Sequence, residues 1–154
     1  MRIGVLSDTH VSSLTELPEK ILTALAEVDM IIHAGDFTAK AVLDGLKQLG
    51  EVSAVCGNMD SNELKQLLPE SLVVTAGGKR IGVAHGWGAP YGIEDRVAKL
   101  FSNVDVDIIV FGHSHQPKNE VIHGILFFNP GQARNSFGIL TIGEEVKAEI
   151  IITR

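Results

Sequence analysis

Five apolar segments of this sequence end directly at polar clusters that contain Asp, Asn or His. Each segment has the short, aliphatic character of a buried β-strand. In open α/β sheets, ligands bind outside the carboxyl ends of the strands, so we expect the five clusters to converge on one crevice. The clusters are Asp8-Thr9-His10, Gly35-Asp36, Gly57-Asn58-Met59-Asp60, His85-Gly86 and Gly112-His113-Ser114-His115.

The order of the apolar segments predicts an α/β fold of the α+β type. Strands alternate with helices over the first two-thirds, whereas Gly77-Gly78 and Gly143-Glu144 predict later hairpins. This order favours mixed sheets with helices on the outside. The predicted strands are 3–6, 30–32, 52–55, 72–74, 80–83, 108–111, 126–128, 139–142 and 146–152. The predicted helices are 18–28, one from a Thr38 cap to Gly50, a short one ending at Pro69, and one over 93–101.

Composition indicates an ordinary globular chain, because 45% of the 154 residues are hydrophobic and 21% are charged. We expect one domain, 1–154. The net charge is −6 and there is no Lys/Arg-rich run, which excludes general binding to nucleic acids or anionic membranes. Apolar runs fall far short of the ~20 residues that span a bilayer or of a signal-peptide core, so we expect a cytoplasmic protein.

Seven residues of the clusters are candidate metal ligands. They offer carboxylates, imidazoles and an amide oxygen, and the single cysteine, Cys56, excludes an internal disulfide and a cysteine zinc site. Mixed N/O donors suit Mn²⁺, Fe²⁺, Co²⁺, Ni²⁺ or catalytic Zn²⁺. Seven ligands are too many for one ion, but two ions sharing a carboxylate would use them all. The seven are Asp8, His10, Asp36, Asn58, His85, His113 and His115.

The clusters resemble those of the calcineurin-like metallophosphoesterase superfamily, whose blocks run Asp-x-His, Gly-Asp, Gly-Asn, His-Gly and Gly-His-x-His in this order. All five blocks are present between Asp8 and His115. The short chain and the later Asn129-Pro130-Gly131 are similar to the small bacterial and archaeal phosphodiesterase subgroup. The resemblance implies a four-layer αββα sandwich, in which helices flank two packed mixed β-sheets.

The resemblance also implies a division of the ligands between two divalent ions, with Mn²⁺ expected first and Ni²⁺, Zn²⁺, Fe²⁺ or Co²⁺ as alternatives. Asp36 would bridge the two ions. Because alternate residues of an extended chain point the same way, we expect each Asp-x-His or His-x-His pair to share a direction. One ion would take Asp8, His10 and His115, and the other would take Asn58, His85 and His113.

The implied reaction is hydrolysis of a small phosphodiester by a hydroxide that bridges the two ions. Many family members carry a His that assists the leaving group where this chain has Met59, which cannot transfer a proton. The acid is therefore absent, unnecessary for good leaving groups, or replaced by Asp60 or water. Arg134 is a candidate phosphate contact. The expected catalytic residues are Asp36, Asn58, Asp60, His113 and Arg134.

Two other functions fit the same residues. One is a non-catalytic metal-binding scaffold of this fold, which Met59 favours and the complete ligand set disfavours. The other is a phosphomonoesterase.

Trp87 and Tyr91 are interpreted as part of a loop that borders the crevice, with contact to a base or an aromatic leaving group as the alternative. Phe127-Phe128 and 150–152 predict either core or interface, which leaves a homodimer open.

Overall fold

The computed structural model describes residues 1–153, which form two five-stranded mixed sheets with helices on their outer faces. In the first sheet, the strand order is β10-β9-β1-β2-β3. The three strands nearest the β3 edge are parallel, and β9 runs antiparallel to both of its neighbours. The bounds are β1 (Arg2–Leu6), β2 (Met30–His33), β3 (Glu51–Ala54), β9 (Ser136–Ile142) and β10 (Val146–Ile152).

The second sheet has the order β4-β5-β6-β8-β7, with a parallel centre and antiparallel hairpins at both edges. Gly77 and Gly78 form the predicted turn of one hairpin, and both have positive φ (57° and 83°), which glycine adopts without steric cost. The bounds are β4 (Ser71–Ala76), β5 (Lys79–Ala84), β6 (Ile108–Val110), β7 (Lys118–Ile122) and β8 (Ile125–Asn129).

Four α-helices complete a four-layer αββα sandwich, which confirms the predicted fold class. The α2 helix begins at Lys40, with Ala39 rather than Thr38 at its N-cap, so the predicted Thr38 cap is wrong. Thr38 has φ 70° and donates its N–H to Asp60 instead. Along the part of the chain that the structure describes, no helix is long and apolar enough to cross a membrane. The bounds are α1 (Glu19–Leu25), α2 (Lys40–Leu49), α3 (Asn62–Leu67) and α4 (Ile93–Leu100).

Three apolar clusters hold the layers together. Ile3 and Val5 of β1 point into the central cluster between the sheets, as the alternation of a strand requires. Gly4 faces the other way, where its missing side chain leaves room for Leu25 of α1. An outer cluster joins α1, α2 and α3 to the first sheet, and another joins α4 to the second. Phe127 and Phe128 belong to these cores, so they form core rather than interface.

The remaining differences from the predicted elements lie at ends and edges. The first predicted helix stops at Leu25 rather than residue 28, and strand β7 was not predicted. Strand β7 lies at a sheet edge and Val121 is 67% exposed, so it has no buried face that would give an alternating pattern. Arg154, the last residue of the predicted domain, lies outside the described residues.

Candidate metal centre

The loops that follow β1, β2, β5 and β6 are joined by backbone hydrogen bonds at one edge of the sandwich. The N–H of Asp8 donates to Gly35 O (3.0 Å), which links the first two loops. The N–H of Gly112 donates to His85 O (3.1 Å), which links the loops of the second sheet. The His113 N–H then reaches Asp8 Oδ2 (3.2 Å) and connects the two sheets. The strand ends therefore converge, as the sequence predicts.

Asp8 is fully buried, and its two carboxylate oxygens have different surroundings. Oδ2 accepts hydrogen bonds from the Ser7 hydroxyl (2.6 Å) and the His113 N–H. These donors hold the carboxylate so that Oδ1 faces a group of imidazoles. The distances from Asp8 Oδ1 are 3.2 Å to His115 Nε2 and 3.8 Å to both His10 Nε2 and His85 Nε2.

Asp36 shows the same division between its oxygens. Oδ1 accepts the N–H of Met59 (2.8 Å), while Oδ2 lies 3.2 Å from His85 Nε2 and 3.6 Å from His10 Nε2. Burial raises the pKa of Asp36, but the adjacent His85 imidazole and the Met59 N–H outweigh it and hold this pKa below its usual value. Burial lowers the pKa of His85, but the neighbouring Asp36 and Asp8 carboxylates outweigh it and raise this pKa above its usual value.

In each of two histidines, a backbone carbonyl determines which ring nitrogen is free. His85 Nδ1 lies 2.8 Å from Ala34 O, and a carbonyl can only accept, so Nδ1 carries the proton. His113 Nε2 donates to Gly88 O in the same way, at 2.8 Å. In the neutral imidazole the other nitrogen is then an acceptor. Nε2 of His85 and Nδ1 of His113 are therefore the nitrogens available to a metal.

Three buried side-chain polar atoms of the described residues have no hydrogen-bond partner: Asp8 Oδ1, His10 Nε2 and His85 Nε2. Buried polar atoms in folded proteins are normally paired, so unpaired atoms facing one another indicate a cation-binding site. Two sets of residues each offer ligand atoms that all lie within 4.8 Å of one another. The residues of each set fit a divalent ion. The sets are Asp8 with His10 and His115, and Asp8 with Asp36 and His85.

The first set is the group expected for one ion. The second unites Asp36 with His85, as expected, and adds Asp8, which the sequence placed with the other ion only. His113 lies beside His85, with ring centroids 5.3 Å apart, and Asn58 is exposed on a cavity that His85 also lines. The structure thus brings the seven candidate ligands to one edge of the fold.

The directions of these ligands come from left-handed turns, and the expectation of extended pairs is wrong. Positive φ is uncommon outside glycine. Residues with this strained conformation persist only where surrounding contacts support them, and they cluster at functional sites. Five of the seven candidates have it: Asp8 (52°), His10 (47°), Asp36 (62°), His113 (69°) and His115 (62°).

Asp60 is buried beneath these loops and accepts three backbone hydrogen bonds. Oδ2 takes the N–H groups of Gly57 (2.7 Å) and Asp36 (3.0 Å), and Oδ1 takes that of Thr38 (2.8 Å). All three partners are donors, so the side chain serves as an acceptor that fixes the loops after β2 and β3. This geometry favours a positioning role over the proton donation considered for Asp60 from the sequence.

Arg134 is exposed in the turn between β8 and β9. Its backbone carbonyl accepts the Thr153 hydroxyl (2.7 Å), and among the described residues its side chain makes no hydrogen bond or ion pair. A contact with phosphate at this position remains a prediction.

Arg96 is a residue of this edge that the sequence reasoning missed. From α4, its guanidinium donates to the carbonyls of Trp87 (2.7 Å), Tyr91 (3.4 Å) and Ala89. The same loop supplies the Gly88 carbonyl that orients His113. From the sequence, an Arg in a helix is usually interpreted as a solvated charge, and only the tertiary contacts of Arg96 distinguish it.

His33, the last residue of β2, has a structural role beside the centre. It is fully buried, stacks on Phe37 with ring centroids 3.5 Å apart, and accepts the Gly35 N–H at Nδ1 (3.0 Å). Nε2 therefore carries the proton and donates to the Thr9 hydroxyl (3.2 Å). Burial lowers the pKa of His33 to about 3, so the ring is neutral and holds the loops around Asp8 and Asp36.

Comparisons with known proteins agree with this arrangement. The sequence model of the calcineurin-like phosphoesterase superfamily domain matches residues 1–143. A probable metallophosphoesterase of Methanothermobacter thermautotrophicus is 35% identical, over 99% of this chain and 93% of its own. The solution structure of a Thermotoga maritima protein is 37% identical with a TM-score of 0.78, covering 98% of both chains. Wild-type Vps29 of Entamoeba histolytica complexed with Zn²⁺ is 27% identical with a TM-score of 0.78, covering 100% of both chains.

Proposed function

The chain belongs to the calcineurin-like phosphoesterase superfamily and is a metal-dependent phosphoesterase, and from this premise we propose that it hydrolyses a small phosphodiester with two divalent ions. The observation that carries the proposal is the division of two buried carboxylates. Each has one oxygen held by donors, and the other oxygen faces histidines whose ring nitrogens have no other partner. This arrangement of unpaired carboxylate oxygens and ring nitrogens suits two bound cations better than it suits an apolar protein interior.

The proposed ligands follow the division expected from the sequence, which the two groups of atoms share in part. Asp8, His10 and His115 would hold one ion, and Asp36 would be shared because its Oδ2 lies between His10 and His85. When bound, two such ions make hydroxide available near neutral pH and neutralise charge on the phosphoryl oxygens. Mn²⁺ is the first choice for a mixed N/O set, with Ni²⁺, Zn²⁺, Fe²⁺ or Co²⁺ as alternatives. The ligands of the second ion would be Asn58, His85 and His113, together with Asp36.

Local charge favours an anionic substrate although the protein carries −6 overall. Two divalent ions would contribute +4, the Asp8 and Asp36 carboxylates −2 and the hydroxide −1, which leaves about +1 at the centre. The distant surface charge is screened over roughly 10 Å at ordinary salt. A phosphodiester carries a single negative charge and is therefore attracted to this edge of the protein.

The protein's own residues position the reacting groups rather than transfer protons. Ser7 and the Met59 N–H hold the two carboxylates, and the Ala34 and Gly88 carbonyls fix the tautomers of His85 and His113. Met59 is 59% exposed and cannot supply a proton. We therefore propose that water protonates the departing alcohol, which makes turnover depend on the quality of the leaving group.

A non-catalytic scaffold is the second candidate, favoured by the likeness to Vps29 and by exposed Met59 beside the cluster. A scaffold would bind ions without turnover. A phosphomonoesterase would favour the doubly charged ester, for which exposed Arg134 is the phosphate contact predicted from the sequence. A cytoplasmic location and a homodimer remain predictions.

The test is turnover after removal and return of the metal. The chelator-treated protein receives Mn²⁺, and hydrolysis of bis-p-nitrophenyl phosphate is compared with that of p-nitrophenyl phosphate. We expect Mn²⁺-dependent cleavage that favours the diester. The isosteric variant Asp36→Asn should lose both the activity and most of the bound metal. Asp44→Asn, which removes an exposed carboxylate paired with Lys40, is the control and should keep both.

Two outcomes would contradict the proposal. Two bound ions per chain without turnover of either ester would favour the scaffold. Faster cleavage of the monoester would favour the phosphomonoesterase.

A further inference from the structure

A cavity of about 350 Å³ opens beside the metal centre, within the size range of ligand pockets. Two of its walls are proposed metal ligands, Asn58 after β3 and His85 after β5. The cavity therefore begins at the reacting centre and extends away from it between α3 and α4. A group attached to phosphorus at the centre would enter this space.

The walls of the cavity include two exposed apolar side chains. Trp87 is 48% exposed and Leu100, the last residue of α4, is 44% exposed. The Trp87 backbone is held by Arg96, so the indole projects from a fixed segment of the loop. Tyr91 of the same loop is 80% exposed and does not line the cavity. Of the two aromatic side chains of this loop, only Trp87 lines the cavity.

The polar part of the lining offers a donor and an acceptor. Lys65 of α3 and Glu70 lie on the same cavity, and Cys56 completes this side. Burial and the negative charges of Asp60 and Glu70 raise the pKa of the Cys56 thiol, so it is a neutral wall rather than a nucleophile. The cavity combines a flat aromatic surface with one cation and one carboxylate.

We infer that this cavity binds the alcohol portion of the phosphodiester and selects a planar heteroaromatic group, which stacks on Trp87 and contacts Lys65 and Glu70 with its polar edges. The inference rests on the proposed function for the phosphodiester, while the recognition of the ring needs only the cavity. An indole stacks on any flat π-system, and a heteroaromatic ring presents both acceptors and donors at its edge. An alkyl alcohol would use neither feature.

The chain contains a single tryptophan, so its intrinsic fluorescence reports directly on this cavity. The probes are adenosine 5′-phosphate and ribose 5-phosphate, which share the phosphate and the sugar and differ in the aromatic ring. Each is titrated into the Zn²⁺-loaded protein, and affinities are measured by calorimetry as well. We expect saturable quenching by the aromatic probe and about tenfold tighter binding, a difference that stacking of one base supplies.

The variants connect the difference to the indole. Trp87→Ala should reduce the preference to less than twofold by calorimetry, and Trp87→Phe should restore part of it. Tyr91→Ala removes an exposed aromatic from the same loop and should keep the full preference. With bis-p-nitrophenyl phosphate, Trp87→Ala should raise KM and leave kcat near its original value.

Equal affinity for the two probes, or a preference that survives in Trp87→Ala, would overturn the inference. The outcome is separable from the proposed function. A ring preference without diester turnover would retain the cavity assignment and reject the phosphodiesterase. Metal-dependent diester turnover without a ring preference would do the reverse.

Discussion

Removal of the Asp60 carboxylate tests whether this side chain organises the loops or donates a proton. Its oxygens accept the N–H groups of Asp36, Thr38 and Gly57 at 2.7–3.0 Å. A hydrogen bond to a charged group contributes about 1.5–3 kcal/mol, and neighbouring bonds of one network do not add fully. We expect Asp60→Ala to lower the free energy of unfolding of the metal-free protein by about 3–5 kcal/mol.

The isosteric variant Asp60→Asn should cost less. Its amide oxygen can take the place of Oδ2 and accept from both Asp36 and Gly57. Its amino group then faces the Thr38 N–H, donor against donor, so one bond of the three is lost. We expect a decrease of roughly 2 kcal/mol.

The metal centre should weaken along with the fold. The Asp36 N–H is one of the three donors, and Asp36 is held at φ 62° by such contacts. Loss of a residue that orients a ligand typically reduces metal affinity about 10–100-fold. Bound metal should fall in both variants, and activity should fall equally for good and poor leaving groups.

The assays are urea unfolding after chelation, elemental analysis, and hydrolysis of bis-p-nitrophenyl and diphenyl phosphate. A proton donor would give another pattern: Asp60→Asn would keep its stability and its metal, and would lose turnover of the diphenyl ester alone. That result would refute the positioning role.

Three further predictions follow from single contacts. Arg96→Ala should reduce kcat and loosen the loop at Gly88, and Arg96→Lys should have less effect. Kinetics and amide exchange of residues 87–91 measure the two effects, and unchanged exchange would contradict the prediction. A Cβ at Gly112 would overlap Ser7 Oγ, so Gly112→Ala should lose bound metal, whereas Gly50→Ala, with open space around it, should not. Folded His33 binds fewer protons than unfolded His33 between about pH 3 and 6.5, so its contribution to stability falls as the pH drops through this range, by at most about 1.4 kcal/mol per pH unit. His33→Gln should reduce that slope in urea melts of the chelated protein, and equal slopes would contradict the assignment.

The sequence predicts the location of the centre because that location depends on strand ends. A parallel sheet brings its carboxyl ends to one edge, so Asp8 and Asp36 meet once β1 and β2 are recognised as neighbouring buried strands. Apolar runs identify those strands without any tertiary information. The same logic does not identify β7, because an edge strand without a buried face has no such pattern.

The ligand directions required information that the sequence does not carry. Whether Asp8 and His10 are extended or left-handed depends on what holds the turn. Their N–H groups donate to the carbonyls of Gly35 and Asp36, which are distant in the chain. The Ser7–Asp8 bond is local, but it matters only because the His113 N–H approaches the same oxygen across the sheets. A motif therefore identifies the side chains that can bind a cation. The orientation that leaves one oxygen of each carboxylate free is a property of loops packed against each other, so variants of Asp60, Arg96 and Gly112 test the centre more sharply than further ligand substitutions.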